Sequence, residues 1–197
     1  ETYSNFSKNI SFKKFQTDTY YYGYWQKILT SNELDQNIVK SFYYKKNKKK
    51  INHSLKLIKN STVAIHIRGG DYNLLKNNHR WVCDKKYYLK AINQIKKKIK
   101  DPDFHIFTDD LNFAKNILNN YLQKMKIVFV KNYRLNDYEE FELLRNYKYY
   151  IINNSTFSLV ASYLSQKKKI IIAPKYWFKN IKNTLIKKNK SFKLVLI

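Results

Sequence analysis

The sequence predicts an α/β fold, with one parallel sheet covered by helices on both faces. Three observations carry this reading. From Val63 onward, short apolar runs rich in β-branched residues alternate with longer amphipathic stretches. Turn or capping residues close many of the runs, such as Asp101-Pro102-Asp103 and Asn136. No internal repeat recurs, and no linker rich in Pro, Gly or Ser divides the chain.

The elements follow in order. Residues 1–19 are polar and aromatic without a clear period. Tyr20-Tyr21-Tyr22-Gly23-Tyr24-Trp25-Gln26 packs aromatics around one glycine, as a strand-and-turn or a sugar-stacking surface would. Thr30-Ser31-Asn32-Glu33 reads as a capping box opening a helix to about residue 44. Residues 45–50 are a lysine-rich loop, and a second helix covers 52–59. A strand over 63–68 is followed by a loop over 73–82 and a helix over 84–99. Strands are expected over 104–108, 126–130, 149–153 and 169–173. Helices over 111–122, 137–147, 156–164 and 177–188 follow them in turn. Asn136 and Glu139 form a second capping box, and the apolar run 192–197 reads as a last strand.

The chain is organised around Val63-Ala64-Ile65-His66-Ile67-Arg68-Gly69-Gly70-Asp71-Tyr72. A buried strand here runs out into a cation, two glycines and a carboxylate. Glycine permits a sharp turn and close approach to the main chain. Arginine offers a planar fork that suits phosphate. In open α/β sheets ligands bind beyond the carboxyl ends of the strands. The motif therefore reads as a phosphate-bearing ligand at a strand terminus, or more plainly as a tight turn with a surface Arg-Asp pair. Parallel strands bring other such ends to the same edge. These are Thr108-Asp109-Asp110 and Asn153-Asn154-Ser155-Thr156-Phe157-Ser158. Asp109 or Asp110 suits a helix N-cap, or a contact to ribose hydroxyls or a guanine N–H. Ser155, Thr156 and Ser158 at a helix start suit either a cap or an anion.

Composition narrows the classes. At 44% apolar content, 197 residues can bury a proper core. No run of 18 or more apolar residues occurs, so no span is expected, and no signal-peptide pattern opens the chain. It begins at Glu1 and is read as a piece or processed form of something longer. The lone Cys83 excludes an intrachain disulfide, which fits a reducing compartment, and reads as a half-buried thiol rather than a nucleophile. The net charge of +25 comes from lysines scattered along the chain, while arginine is limited to Arg68, Arg80, Arg134 and Arg145. A sequence-specific nucleic-acid reader is therefore set aside, and weak attraction to anionic lipid headgroups or polyanions is expected. His53, His66, His79 and His105 show no ligand spacing, so no metal is expected.

His66-Ile67-Arg68-Gly69-Gly70-Asp71-Tyr72 resembles the first signature, His-x-Arg-Arg-Gly-Asp-Tyr, of the α-1,2-fucosyltransferases. Gly23-Tyr24-Trp25-Gln26 resembles a segment preceding it. Phe107-Thr108-Asp109-Asp110 is similar to the family's Phe-Ser-Asp-Asp. Glu139-Glu140-Phe141-Glu142-Leu143-Leu144 resembles Glu-Asp-Phe-x-Leu-Met. Residues 151–158 and 172–178 are similar to Ile-Ile-Ala-Asn-Ser-Thr-Phe-Ser and Ile-Ala-Pro-Lys-x-Trp-Phe. The blocks keep the family's order. Gly69 stands for an arginine, Glu140 for an aspartate, and Leu159-Val160 for two tryptophans. The family's opening Gly-Gly-Leu-Gly-Asn-Gln segment has no counterpart here.

The resemblance implies a Rossmann-like doubly wound sheet, the C-terminal donor half of a GT-B glycosyltransferase. Residues 60–197 would be the GDP-sugar-binding domain, and 1–59 a helical, aromatic connecting remnant of the acceptor half. It implies inverting transfer of L-fucose from GDP-β-L-fucose to the 2-hydroxyl of a galactoside in a surface polysaccharide or O-antigen. No cofactor or metal is implied; the partners are GDP-fucose and the acceptor glycan. Arg68 and Asp71 become the candidate catalytic residues. His66, Arg68, Gly69, Gly70, Asp109, Asp110, Glu140, Ser155, Thr156 and Ser158 become the candidate donor contacts, although the position of His66 inside a strand favours a satisfied core histidine. The expected location is cytoplasmic, peripheral at the inner face of a bacterial membrane. Two alternatives stand: an inactive nucleotide-sugar-binding fragment, and a basic nucleic-acid-binding module.

Overall fold

Five consecutive buried residues, Val63–Ile67, form strand β1 at the centre of the sheet. A strand covered on both faces carries apolar side chains at nearly every position. The computed structural model describes residues 48–70, 83–165, 167, 169–178, 181–182 and 192–197. The expectations for 1–47, for the loop over 73–82 and for Asp71 lie outside these residues.

Helix α1 (Lys48–Lys56) precedes β1. It begins earlier than expected and takes in lysines 48–50, which were assigned to a loop; lysine is a good helix former. Helix α2 (Lys85–Lys96) starts where Asp84 accepts a hydrogen bond from the Tyr87 N–H. Strand β2 (Phe104–Thr108) leads to α3 (Leu111–Leu118), and β3 (Ile127–Phe129) to a 3-10 turn over Val130–Tyr133. The capping box at Asn136 and Glu139 opens α4 (Asp137–Leu144), both of its hydrogen bonds being formed. Strand β4 (Tyr149–Ile151), helix α5 (Thr156–Leu164) and strand β5 (Lys169–Ala173) follow.

The expected helix over 177–188 is corrected at its described residues, 177–178 and 181–182; the rest of that span lies outside the described residues. Strands β6 (Tyr176–Phe178) and β7 (Ile181–Lys182) form a small antiparallel pair. Tyr176-Trp177-Phe178 favours extended structure. Pro174 and Lys175 before it supply no side-chain cap for a helix. Strand β8 (Phe192–Leu196) returns to the main sheet beside β5.

The six strands of the main sheet run in the order β3-β2-β1-β4-β5-β8, every neighbouring pair parallel. This is the doubly wound, Rossmann-like order, and it reverses between β1 and β4. Side chains alternate across the sheet. Val63, Ile65 and Ile67 join α2 and α3 in one core; Ala64, Phe107 and Tyr150 join α4 and α5 in the other. The expected α/β fold with helices on both faces is therefore observed. Among the described residues, no helix is long and apolar enough to cross a membrane.

Candidate active site

Three adjacent strands, β2, β1 and β4, end together where the order reverses, and this is where α/β sheets bind ligands. Register sets what meets there. Ile67 pairs with Thr108, so Arg68 lies level with Asp109. Ile65 pairs with Ile151, so the residues after β1 and those after β4 emerge side by side.

Asp109 clamps the end of β1. One carboxylate oxygen accepts from the Gly69 N–H at 2.9 Å, and the other lies 3.1 Å from Arg68 Nη1. The guanidinium is about one-third exposed, with 36% of the side chain accessible. Asp109, from the neighbouring strand, thus braces Arg68. Asp110 accepts from the Phe113 N–H and caps α3. Of the paired aspartates, one holds the arginine and the other starts a helix.

The two glycines answer to the same packing. A Cβ on Gly70 would lie 2.6 Å from Asp109 Oδ2, the oxygen that faces Arg68. A Cβ on Gly69 would lie 2.6 Å from Phe113 Cδ1. Where the resembling signature has a second arginine, the Phe113 ring of α3 fills the space a side chain would leave by. The close approach that glycine permits is taken, on these sides, by the protein's own groups.

Asn153 ties β1 to β4. Its Oδ1 lies 2.9 Å from His66 Nδ1 and also accepts from Ser158 Oγ at 3.4 Å. An amide oxygen cannot donate, so His66 Nδ1 carries the proton and Nε2 is left as an acceptor. Burial lowers the His66 pKa to about 4, so the ring is neutral near pH 7. It lies 5.6 Å from the ring of Phe157. Ser158 is fully buried and also donates to the Ser155 carbonyl. Its hydroxyl shapes the turn from within, whereas Thr156 is exposed at the first turn of α5. Asp84, Asp110 and Asn136 cap α2, α3 and α4, but Ser155 makes no side-chain cap bond to α5. The first turn of a helix has N–H groups without intrahelical partners and a positive end of the helix dipole.

Sequence reasoning missed the supports. Tyr87 and Tyr88 of α2 donate to the carbonyls of Ile152 and His66, the latter at 3.1 Å. They hold the ends of β4 and β1 from below. Their only signal was a Tyr-Tyr pair on the inward side of an amphipathic helix. Cys83 is buried at 3% exposure, more deeply than the half-buried thiol expected, because it packs in the core formed with α2. Among the described residues no cluster of His, Cys, Asp or Glu could hold a metal ion.

Glu140 stands on α4, which packs on α5 through Phe141 and Phe157, ring centroids 5.4 Å apart. Burial raises its pKa to about 7; Lys131 partly offsets this and Asp137 adds to it. The carboxyl is thus poised to carry or release a proton near neutrality.

A pH prediction follows from the signs. His66 and His105 have pKa values lowered to about 4 from 6.5, chiefly by burial. The unfolded chain binds more protons between those values, so their stabilisation is lost as pH falls from about 6.5 to 4. Glu140 is raised, so its contribution is present below about 4.5 and lost as pH rises through 7. The two effects oppose each other. Glu140→Gln should therefore lose stability more steeply than the parent on acidification from pH 6.5 to 4.5, read by urea unfolding at both pH values. Parallel curves would mean that Glu140 titrates normally.

Comparison with known proteins gives the family. The family model described as glycosyl transferase family 11 matches residues 1–194. The chain belongs to glycosyl transferase family 11. The family 11 match takes in each of the sequence blocks quoted above, so the resemblance read from them holds at the level of the family. An Escherichia coli protein named alpha-1,2-colitosyltransferase is 32% identical over 123 residues, 60% of this chain and 41% of that relative. The Escherichia coli O-antigen biosynthesis glycosyltransferase WbnK is 31% identical over 123 residues, 60% of this chain and 39% of its own length. The aligned stretch is about two-fifths of the length of these curated relatives.

Proposed function

We propose that this family 11 chain is the donor-binding portion of a galactoside α-1,2-fucosyltransferase of GT-B architecture. It would transfer L-fucose from GDP-β-L-fucose to the 2-hydroxyl of a galactose-containing surface glycan, with inversion. One observation carries the reading: Arg68, oriented by Asp109, and the start of α5, without a side-chain cap, end adjacent strands at the switch point. The hard step is departure of GDP from a sugar becoming oxocarbenium-like. Negative charge grows on the diphosphate, and preorganised donors aimed there lower the barrier. Arg68 supplies the cation, and Ser155, Thr156 and the first-turn N–H groups of α5 complete the cradle. Ser158 and Asn153 hold that turn in shape. His66 Nε2 and Glu140 are assigned to the nucleoside, and Asp71 to Arg68 or the acceptor. The chemistry asked of these residues is charge stabilisation, with no metal required. Residues 60–197 form the donor domain in this reading, and 1–59 connect it to an acceptor half. The location is cytoplasmic.

A colitosyl donor is the second reading, favoured by the name of one relative; the α-1,2 linkage is common to both. The test is calorimetric titration of the chain with GDP, UDP and ADP. GDP-fucose and a colitosyl nucleotide donor are then offered with a panel of galactosides. GDP alone should bind well, and fucose should transfer to a galactoside 2-hydroxyl. Binding without turnover would support the inactive-fragment alternative. Equal affinity for the three nucleotides would overturn the guanine donor.

A further inference from the structure

The sequence scatters its lysines, but the fold gathers some of them. All six strands are parallel, so every segment that enters a strand reaches the sheet edge opposite the candidate site. A cleft of about 580 Å³ opens there, with Lys96, Lys100, Lys124 and Lys126 around it. Lys148 and Lys167 enter β4 and β5 along the same edge. Burial, and then Lys148, lower the pKa of Lys167, as expected for crowded cations. Two carboxylates answer this charge. Asp101 pairs with Lys126 at 3.2 Å, and Asp103 with Lys59 at 2.8 Å. Among the described residues Lys96, Lys100 and Lys124 have no carboxylate within ion-pair distance.

We propose that this edge is a docking face for anionic phospholipid. The lysines meet headgroup phosphates, and Leu122 and Met125 meet the acyl boundary. Two features select a bilayer over nucleic acid. Leu122 is 36% exposed two residues before Lys124, and the half-buried Met125 lines the cleft beside Lys124 and Lys126. Among the described residues no arginine lines it, although arginine is the residue that reads phosphate and base edges in fixed geometry. The five residues of β1, at about 3.3 Å each, put the two edges roughly 16 Å apart. Docking by this face turns the candidate site away from the headgroups. The proposal stands on charge and topology, independently of the donor assigned above.

The test is co-sedimentation with phosphatidylcholine vesicles, with and without phosphatidylglycerol. Each lysine at an anionic surface contributes about a fivefold gain in partition, so Lys96→Ala/Lys100→Ala/Lys124→Ala should lose roughly 100-fold. A control variant, Lys86→Ala/Lys90→Ala/Lys115→Ala, removes equal charge from elsewhere on α2 and α3 and should lose much less. Circular dichroism and GDP titration should match the parent for both variants. Equal losses from the two variants would mean diffuse attraction and overturn the docking face. So would binding that ignores phosphatidylglycerol. Tighter binding to random duplex DNA than to the vesicles, lost in the first variant only, would reassign the edge to nucleic acid and also overturn the proposal.

Discussion

Arg68→Ala should weaken GDP binding by about 1.5–3 kcal/mol, roughly 10- to 150-fold, the range for a hydrogen bond to a charged group. Arg68→Lys should recover only part of the loss, because a point charge cannot make a bidentate contact. The structure adds a finer expectation. Asp109 lies 3.1 Å from the guanidinium, so removing the cation leaves a carboxylate facing the diphosphate. Arg68→Ala/Asp109→Asn should therefore bind GDP better than Arg68→Ala alone. The Lys96, Lys100 and Lys124 substitutions should leave GDP binding unchanged at moderate salt, since they lie at the opposite sheet edge and are screened. Calorimetric titration distinguishes these outcomes. An equal loss from the lysine variant would reduce the Arg68 effect to bulk charge.

Trp177→Ala should cost about 3–5 kcal/mol of unfolding free energy, the range for deleting a buried aromatic side chain. Trp177 is 2% exposed and packs in the core that holds α4 and α5. Its carbonyl accepts from Asn154 Nδ2 at 3.0 Å, which ties the small hairpin to the turn before α5. Trp177→Phe should lose less, because a ring still fills part of the space. Urea unfolding of both variants checks this. A cost under 1 kcal/mol for Trp177→Ala is what a solvated first helical turn would give, and it would contradict the buried hairpin.

Local chemistry was legible in the sequence. The β-branched run at 63–67 and the runs at 104–108 and 169–173 needed only burial and period to be read as strands. Asn136 and Glu139 announced the start of α4 because a capping box is satisfied within four residues. The blocks around Arg68, Asp109, Glu140 and Ser155 were enough to indicate the family.

Partners distant in sequence were decided by tertiary structure alone. Asp109 meets Gly69 across 40 positions and Asn153 meets His66 across 87, contacts created by the order β2-β1-β4. Nothing in local periodicity specifies which strand lies beside which. The same limit explains Trp177, whose aromatic neighbours suit several contexts until a core receives them. It explains Glu140, whose proton affinity depends on the burial of α4 rather than on its neighbours in sequence. And it explains the lysines: charge is set by composition, but its concentration at one edge follows from the six strands of the main sheet pointing the same way.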